Sequence, residues 1–132
     1  MPHRSSPSAS WRIRKHRYAL MGTMCHSCKK VFYPPREMCV VCKKEVKEPV
    51  FLSGFGVLES FTMIHTPPAG FEDCAPYVVG IVKLAEGVRI SAQIINPLEE
   101  CKAGARVVGV FRRLYRDGES GLNFYGTKFG VV

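Results

Sequence analysis

Four cysteines in two Cys-x-x-Cys pairs are the residues with the clearest chemical potential in this sequence. Cys25 and Cys28 form the first pair, and Cys39 and Cys42 form the second after ten intervening residues. Each pair puts two thiolates on one tight turn, and two pairs can surround one ion tetrahedrally at about 2.3 Å per bond. The pattern predicts one structural Zn²⁺ per chain, because four thiolates leave no open position for a reactive water.

Other chemistries for these cysteines fit the sequence less well. A disulfide framework needs a secretory signal, and the basic start over residues 1–17 leads into no apolar segment. A thioredoxin-type redox pair needs a βαβ setting that the sequence lacks. Iron stays open as an alternative metal, since rubredoxin-like knuckles share this spacing. We expect His26, inside the first pair, to be an exposed turn residue because the cysteines already complete the shell.

The rest of the chain offers no recognisable catalytic set. Cys74 and Cys101 have no partner in the sequence, and we expect each to be a small buried side chain. No nucleophile, base and orienting group occur at a familiar spacing, and no phosphate-binding loop is present. We therefore predict no catalytic residue and no enzymatic activity for the chain on its own.

Positive charge is concentrated in the N-terminal third. The net charge is +8, and residues 1–48 hold eleven Lys or Arg against three acids, whereas residues 49–132 hold eight of each. A basic arm of this kind suits a partner-facing surface or weak, salt-sensitive contact with nucleic acid. No run approaches the roughly 18 apolar residues of a membrane span. We expect a cytoplasmic protein with no membrane partner.

The pattern of elements predicts a mainly β protein. A short helix is expected over residues 11–21, capped by Ser8 or Ser10, after a mobile tail over residues 1–10. The helix precedes the cysteine segment. Beyond it, apolar and β-branched residues predict five strands over residues 57–65, 77–84, 88–95, 105–114 and 122–132. Five strands of this size suit a partly open barrel of the OB type or a related small barrel.

The run YALMGTMCHSCKKVFYPPREMCVVC resembles a known family of rubredoxin-like zinc-ribbon/OB-fold proteins that accompany thiolase-superfamily enzymes. The likeness continues through SGFGVLESFTMIHTPPAGF, APYVVGIVKLAEGVRISAQI and DGESGLNFYGTKF, and covers the chain from about Trp11 to its end. The positions that match the family's opening pattern are Tyr18, Leu20, Gly22, Cys25, Cys28, Tyr33, Pro34, Pro35, Arg36, Cys39 and Cys42. The resemblance implies an N-terminal tail and helix (residues 1–22), a rubredoxin-like zinc ribbon (23–48) and a five-stranded OB-fold barrel (49–132).

The same resemblance implies a non-catalytic accessory subunit, required by a thiolase-type acyltransferase complex. Such subunits help to assemble the enzyme and enclose or channel the acyl-CoA intermediate. Examples are the small subunits that bridge archaeal acetoacetyl-CoA thiolase and HMG-CoA synthase, and those of bacterial degradative thiolases such as benzoylsuccinyl-CoA thiolase. Trp11, Arg12 and Arg36 are the candidates for contacting the catalytic subunit or CoA. The alternative function is binding of single-stranded nucleic acid by the ribbon and barrel.

Overall fold

The computed structural model describes residues 6–132; residues 1–5 of the predicted tail lie outside the described residues. Two short helices are followed by eight strands, with single 3₁₀ turns at Glu72–Cys74 and Leu98–Glu100. The elements are α1 (Pro7–Arg12), α2 (Arg14–Ala19), β1 (Met21–Met24), β2 (Val31–Phe32), β3 (Glu48–Phe51), β4 (Phe55–Ile64), β5 (Tyr77–Leu84), β6 (Arg89–Ile94), β7 (Arg106–Arg116) and β8 (Asn123–Val131).

The N-terminal helix differs from the prediction in its start and its continuity. Ser6, rather than Ser8 or Ser10, caps α1, because its Oγ accepts a 3.4 Å hydrogen bond from the backbone of Ala9, and Pro7 then begins the helix. Ile13, with φ −99° and ψ 11°, separates α1 from α2. α2 ends at Ala19 because Leu20 adopts the left-handed conformation and the chain turns into β1.

The cysteine segment is built on a small antiparallel sheet in the order β2-β1-β3. β1 pairs along its whole length with β3, from Met21 opposite Phe51 to Met24 opposite Glu48. β1 also pairs with β2, where Thr23 lies opposite Phe32. β1 is therefore the central strand and joins β2 and β3, which lie on either side of it. The two cysteine turns lie close together, because all four sulfur atoms are within 4.8 Å of one another.

The C-terminal two thirds forms a closed five-stranded barrel in the order β4-β5-β6-β8-β7. The antiparallel β4–β7 pair closes it on one side, and a single parallel bridge between Ile94 of β6 and Phe129 of β8 closes it on the other. This is the OB-type arrangement that the sequence predicts, although closed where a partly open barrel is expected. The mainly β architecture, with N-terminal helices ahead of ribbon and barrel, is confirmed.

One close approach inside the barrel requires a glycine. β4 has a bulge between Leu58 and Ser60, opposite β5. A Cβ on Gly80 would lie 2.5 Å from Leu58 Cδ1 and 2.9 Å from the Ser60 carbonyl oxygen. Leu58 is fully buried at this point, so Gly80 leaves the space that lets the Leu58 side chain fill the barrel.

The ribbon and the barrel share one hydrophobic core. Leu20 and Leu52, which flank the ribbon sheet, are 5% and 7% exposed and pack in the same cluster as Leu58 and Phe129 of the barrel. The Leu52 backbone N–H also donates to the Leu20 carbonyl oxygen at 3.1 Å. The ribbon is therefore fixed to the barrel at its base, while its cysteine end has a small cluster of its own.

Candidate metal centre and partner surface

The two cysteine turns have the same backbone geometry. In the first, the Cys25 N–H donates to the Lys30 carbonyl oxygen at 2.9 Å, and the Lys29 N–H donates to the Cys25 carbonyl oxygen at 2.8 Å. The second turn repeats both bonds: Cys39 N–H to Lys44 O at 2.9 Å and Lys43 N–H to Cys39 O at 3.0 Å. The sequence signal for this repetition is Cys-x-x-Cys-Lys-Lys, which occurs in both turns.

A lysine in the left-handed conformation follows each pair. Lys29 and Lys43 both have φ of +57°, a region that disfavours side chains other than those of Gly, Asn and Asp. The conformation is required because it turns the chain back after the second cysteine, so that the pair can present both sulfur atoms to one side. Each turn therefore contains one residue in a strained backbone conformation, and the two turns together place the four thiols in one cluster.

The four cysteine sulfur atoms form a compact cluster, and all lie within 4.8 Å of one another. Cys25 Sγ is 3.5 Å from Cys42 Sγ, and Cys39 Sγ is 4.0 Å from Cys28 Sγ. A tetrahedron with metal–sulfur bonds of about 2.3 Å has edges of about 3.8 Å. The observed separations lie on either side of that value, so the cluster fits a single four-coordinate metal ion.

The electrostatics of the cluster favour a bound cation. The side-chain hydrogen bond with Cys42 is the largest cause that raises the pKa of Cys28 to about 12. Hydrogen bonds from the backbone of Cys42, and then of Val41, lower the pKa of Cys39 to about 6. One thiol therefore ionises readily while a neighbour is held protonated, and removing every proton requires a compensating positive charge. A metal ion coordinated by all four thiolates would supply it.

The environment of the cluster is that of a structural site. Cys25 and Cys39 are buried, together with Val46, and Phe32 packs against them. His26 points away from the sulfur atoms: its side chain is exposed, and its Nε2 lies 3.0 Å from Glu48 Oε2. Within residues 6–132, the four cysteines are the cluster suited to hold a metal ion.

The other two cysteines have separate surroundings. Cys101 is buried, and its thiol lies 3.4 Å from the Pro97 carbonyl oxygen; burial raises its pKa. Cys74 is half-buried, lies in the long loop between β4 and β5, and lines a cavity. The expectation of a small buried side chain therefore holds for Cys101, while Cys74 is more accessible than expected.

The three residues predicted to contact a partner lie in two places. Trp11 and Arg12 are exposed at the end of α1, and the Arg14 guanidinium lies 3.9 Å from the Trp11 ring centroid. Arg36 lies in the ribbon, where its side chain is exposed. Thr23, which is buried, holds the Arg36 backbone: its Oγ1 accepts from the Arg36 N–H at 3.0 Å and donates to the Arg36 carbonyl oxygen at 3.1 Å.

Trp11 belongs to a larger exposed apolar area that sequence reasoning missed. We call it the aromatic surface. Phe111 of β7 meets the Tyr18 ring edge-on at 5.2 Å and stacks on Tyr125 of β8 at 5.5 Å. Its five members, each more than a third exposed, are Trp11, Tyr18, Phe111, Leu122 and Tyr125. Four of them, all except Phe111, line one surface groove. The five members come from three separate parts of the chain, so no short sequence motif could have identified them.

Two hydrogen bonds fix α2 beneath this surface. Thr127 Oγ1 donates to the Arg17 carbonyl oxygen at 2.9 Å, and the Tyr33 hydroxyl donates to the His16 carbonyl oxygen at 2.8 Å. They satisfy carbonyl groups at the C-terminal end of a six-residue helix, where backbone partners are lacking. One bond comes from the barrel and one from the ribbon, so the position of the helix depends on both.

No helix between residues 6 and 132 has the length and apolar character needed to cross a bilayer.

The fold and the four-cysteine cluster define a zinc-ribbon/OB-fold protein. Two family profiles match: the rubredoxin-like zinc ribbon domain of ChsH2 over residues 15–48, and the C-terminal OB-fold domain of ChsH2 over residues 49–112. A DUF35 domain-containing scaffold protein of Methanocaldococcus jannaschii is 42% identical over 125 residues, which are 93% of this chain and 89% of that protein. The chain belongs to the DUF35 family of ChsH2-type zinc-ribbon/OB-fold proteins.

Two further comparisons agree. A DUF35 domain-containing scaffold protein of Methanothermobacter thermautotrophicus is 41% identical over 122 residues, covering 91% of this chain and 92% of that protein. Among solved structures, a chain of the Ltp2-ChsH2(DUF35) aldolase superposes with a TM-score of 0.70 and 26% identity, covering 98% of this chain and 95% of that chain. The resemblance stated from the sequence is confirmed.

Proposed function

We propose that this protein is a non-catalytic accessory subunit of a thiolase- or aldolase-type complex that acts on an acyl-CoA. The observation that carries the proposal is the end-to-end match to a chain of the Ltp2-ChsH2(DUF35) aldolase. Two archaeal relatives described as scaffold proteins match over nearly their whole lengths and support a role without chemistry of its own. The catalytic subunit would be a thiolase-superfamily enzyme, and its active-site residues would lie outside this chain.

The metal has a structural role in this proposal. One Zn²⁺ per chain is held by Cys25, Cys28, Cys39 and Cys42, and the separations between their sulfur atoms support that ligand set. Bound zinc supplies positive charge and four directional bonds, and with a complete thiolate shell it supplies no reactive water. The ion holds the ribbon in one conformation, so that Arg36 is presented from a rigid element.

The partner-facing area has two parts in this proposal. The first is the aromatic surface together with Arg12, which adds a cation at its edge. Exposed aromatic groups clustered in one place are typical of interface centres, where Trp, Tyr and Arg contribute most of the binding energy. The second is Arg36 on the ribbon, whose guanidinium suits a carboxylate of the partner or a phosphate of CoA.

Enclosing the acyl-CoA is the remaining part of the proposal. The ribbon (residues 23–48) and the barrel (49–132) each hold α2 by one hydrogen bond, and the shared core around Leu20 and Leu52 joins ribbon and barrel. If this chain binds over the active site of its partner, it would exclude water and restrict the diffusion of a thioester intermediate. The chain would connect two active sites if it lay between two catalytic subunits.

Co-purification tests the proposal directly. The tagged, metal-loaded full chain is used to capture proteins from a native lysate at moderate salt, and the bound proteins are identified by mass spectrometry. We expect a thiolase-superfamily subunit in near-stoichiometric amount, and we expect it to be lost from a Trp11→Ala/Phe111→Ala double variant. Phe51→Ala is the matched control, because Phe51 is 61% exposed but lies on β3, outside the aromatic surface.

Three results would count against parts of the proposal. Recovery of nucleic acid or ribosomal proteins, lost steeply as salt rises, would favour the alternative function in binding single-stranded nucleic acid. Turnover of acetoacetyl-CoA by the metal-loaded chain without a partner would contradict the non-catalytic assignment. Equal loss of the partner from Phe51→Ala and from the double variant would show that the aromatic surface is not the binding site.

A further inference from the structure

A buried lysine lines a cavity of the barrel that shares no residue with the four-cysteine cluster. Lys128 is the last charged residue of the sequence, on β8, and only 8% of its surface is exposed. It opens onto a cavity of about 500 Å³ between β6, β8 and the loop that leads into β5. Buried lysines are rare and ordinarily have a carboxylate partner, so the surroundings of this side chain need an explanation.

Within residues 6–132, no carboxylate forms an ion pair with Lys128, and no hydrogen bond holds its ammonium group. Its charged neighbours on the adjacent strand are Arg112 and Arg113, which are also cations. Burial is the main reason why the pKa of Lys128 lies below its usual value, and the Cys74 thiol is the group that opposes this shift. The side chain is therefore an uncompensated positive charge facing an open space.

The walls of the cavity are mostly apolar, with few polar groups left to meet a ligand. Asn96 is already occupied: its Oδ1 accepts from the Val131 N–H at 2.8 Å, and its Nδ2 donates to Glu100 at 2.7 Å. Gln93 lines the cavity and can donate its side-chain amide. The remaining wall includes Met63, Tyr77, Ile95 and Pro97.

We propose that this cavity binds a small organic carboxylate, with the carboxylate on Lys128 and Gln93 and a short hydrocarbon chain against the apolar wall. A bound anion would supply the countercharge that the described residues do not provide, and in a partly buried site that interaction is stronger than at the surface. The inference concerns a site in this chain alone and does not depend on the proposed role in an acyl-CoA complex.

The number of donors favours a carboxylate over a phosphate. A phosphate carries up to two charges and accepts several hydrogen bonds, and its binding sites usually supply several backbone N–H groups or Arg forks. The lining has one cation, Lys128, and the neutral donors of Gln93 and Tyr77, which suits a singly charged anion. An apolar wall would leave the other phosphate oxygens without partners.

The test is a titration of the ¹⁵N-labelled, metal-loaded full chain, followed by amide chemical shifts at constant ionic strength. The probes are butyrate, its neutral isostere butyramide, and inorganic phosphate. We expect butyrate to give saturable shifts at Val78, Gln93 and Ile95, with affinity at least about tenfold above that of either other probe. Lys128→Met should lower the affinity for butyrate by about tenfold or more. Lys83→Met, on the exposed face of β5, should leave that affinity unchanged.

Folding of the variant is checked in the same experiment. Methionine replaces an unpaired cation on a mostly buried side chain with an apolar chain of similar length, so Lys128→Met should keep the spectrum of the fold and should not lower the melting temperature without ligand. Equal binding of butyramide, equal binding by Lys128→Met, or no saturable shift would each overturn the proposal. Tighter binding of phosphate than of butyrate would overturn the assignment to a carboxylate.

Discussion

Loss of one cysteine ligand should unfold the metal end of the ribbon and leave the barrel intact. Cys39→Ser removes a thiolate from the centre of the cluster. Without the metal, the segment is held by few apolar contacts: Val46 is its buried aliphatic residue, and burying one valine stabilises by about 1.5–3 kcal/mol. Binding of structural zinc contributes about 10–16 kcal/mol to the free energy of folding of zinc-finger peptides. The metal is therefore the largest stabilising term for residues 25–46.

Hydrogen exchange measures this outcome residue by residue. The amides of Cys25, Lys29, Lys43 and Val46 donate backbone hydrogen bonds of 2.8–3.0 Å within the ribbon. In Cys39→Ser we expect their exchange to accelerate by about two orders of magnitude or more, because local opening no longer breaks metal bonds. The Leu58 amide, bonded to the Ala105 carbonyl oxygen at 2.9 Å in the barrel, should keep its protection.

Cys74→Ser provides the matched control, since it removes a half-buried thiol outside the cluster. Metal analysis should give one zinc per chain for the control and none for Cys39→Ser. Unchanged protection of the ribbon amides in a zinc-free Cys39→Ser protein would refute the reasoning, because packing alone would then be sufficient to hold the segment. Loss of protection at Leu58 to the same extent would show that the ribbon and barrel unfold as one unit.

Three further predictions concern single side chains. Thr23→Val removes the hydroxyl that bonds both backbone groups of Arg36, and denaturant titration should show a loss of about 1–3 kcal/mol that Thr23→Ser restores. Lys29→Gly relieves the φ of +57° and should leave the free energy of unfolding unchanged or raise it by up to about 1 kcal/mol. The pKa of Glu59 lies below its usual value because Arg89 Nε donates a 2.8 Å hydrogen bond to its carboxylate. The ionised Glu59 carboxylate stabilises the fold fully above the pKa that Glu59 has in the unfolded chain, and this stabilisation is lost as the pH falls through the pKa of Glu59 in the folded protein. The difference in melting temperature between the parent chain and Glu59→Gln should therefore be largest near neutral pH and vanish in acid.

Each of these predictions has an outcome that contradicts it. For Thr23, a valine variant as stable as the parent chain would show that water replaces both hydrogen bonds. For Lys29, the control is Lys44→Gly, which is exposed and does not have a positive φ; equal losses in both variants would show that no strain is relieved. For Glu59, a melting-temperature difference that is the same in acid as at neutral pH would mean that ionisation of the carboxylate is not its cause.

The strands of the barrel were predictable because their patterns are local. β5 is predicted over residues 77–84 and extends from Tyr77 to Leu84. Along it, Val78, Gly80, Val82 and Leu84 are buried while the side chains between them are more exposed, which is the two-residue period of a strand packed on one face. The four cysteines were predictable for a similar reason, since each pair lies on a single turn and needs no distant residue to define it.

Features that depend on distant residues were not predictable in this way. The helix end depends on Thr127 and Tyr33, which lie far from α2 in the sequence. The aromatic surface joins α1 and α2 to β7 and β8, and only the tertiary fold brings those elements together. Lys128 occurs among apolar residues and glycine near the C-terminus, and nothing in the neighbouring sequence indicates that carboxylates are lacking around it.

The way in which ribbon and barrel are joined bears on why a metal is retained in a protein that already has a hydrophobic core. Leu20 and Leu52 anchor the base of the ribbon in the barrel core through apolar contacts, none of which involves a cysteine of the metal cluster. The far end of the ribbon, with Cys25, Cys39 and Val46, buries too little apolar surface to keep one conformation by packing. Metal binding therefore adds order at the end that the core does not reach, where Thr23 orients Arg36. A partner that recognises Arg36 would meet a preorganised group, and association would cost less conformational entropy than docking a flexible loop.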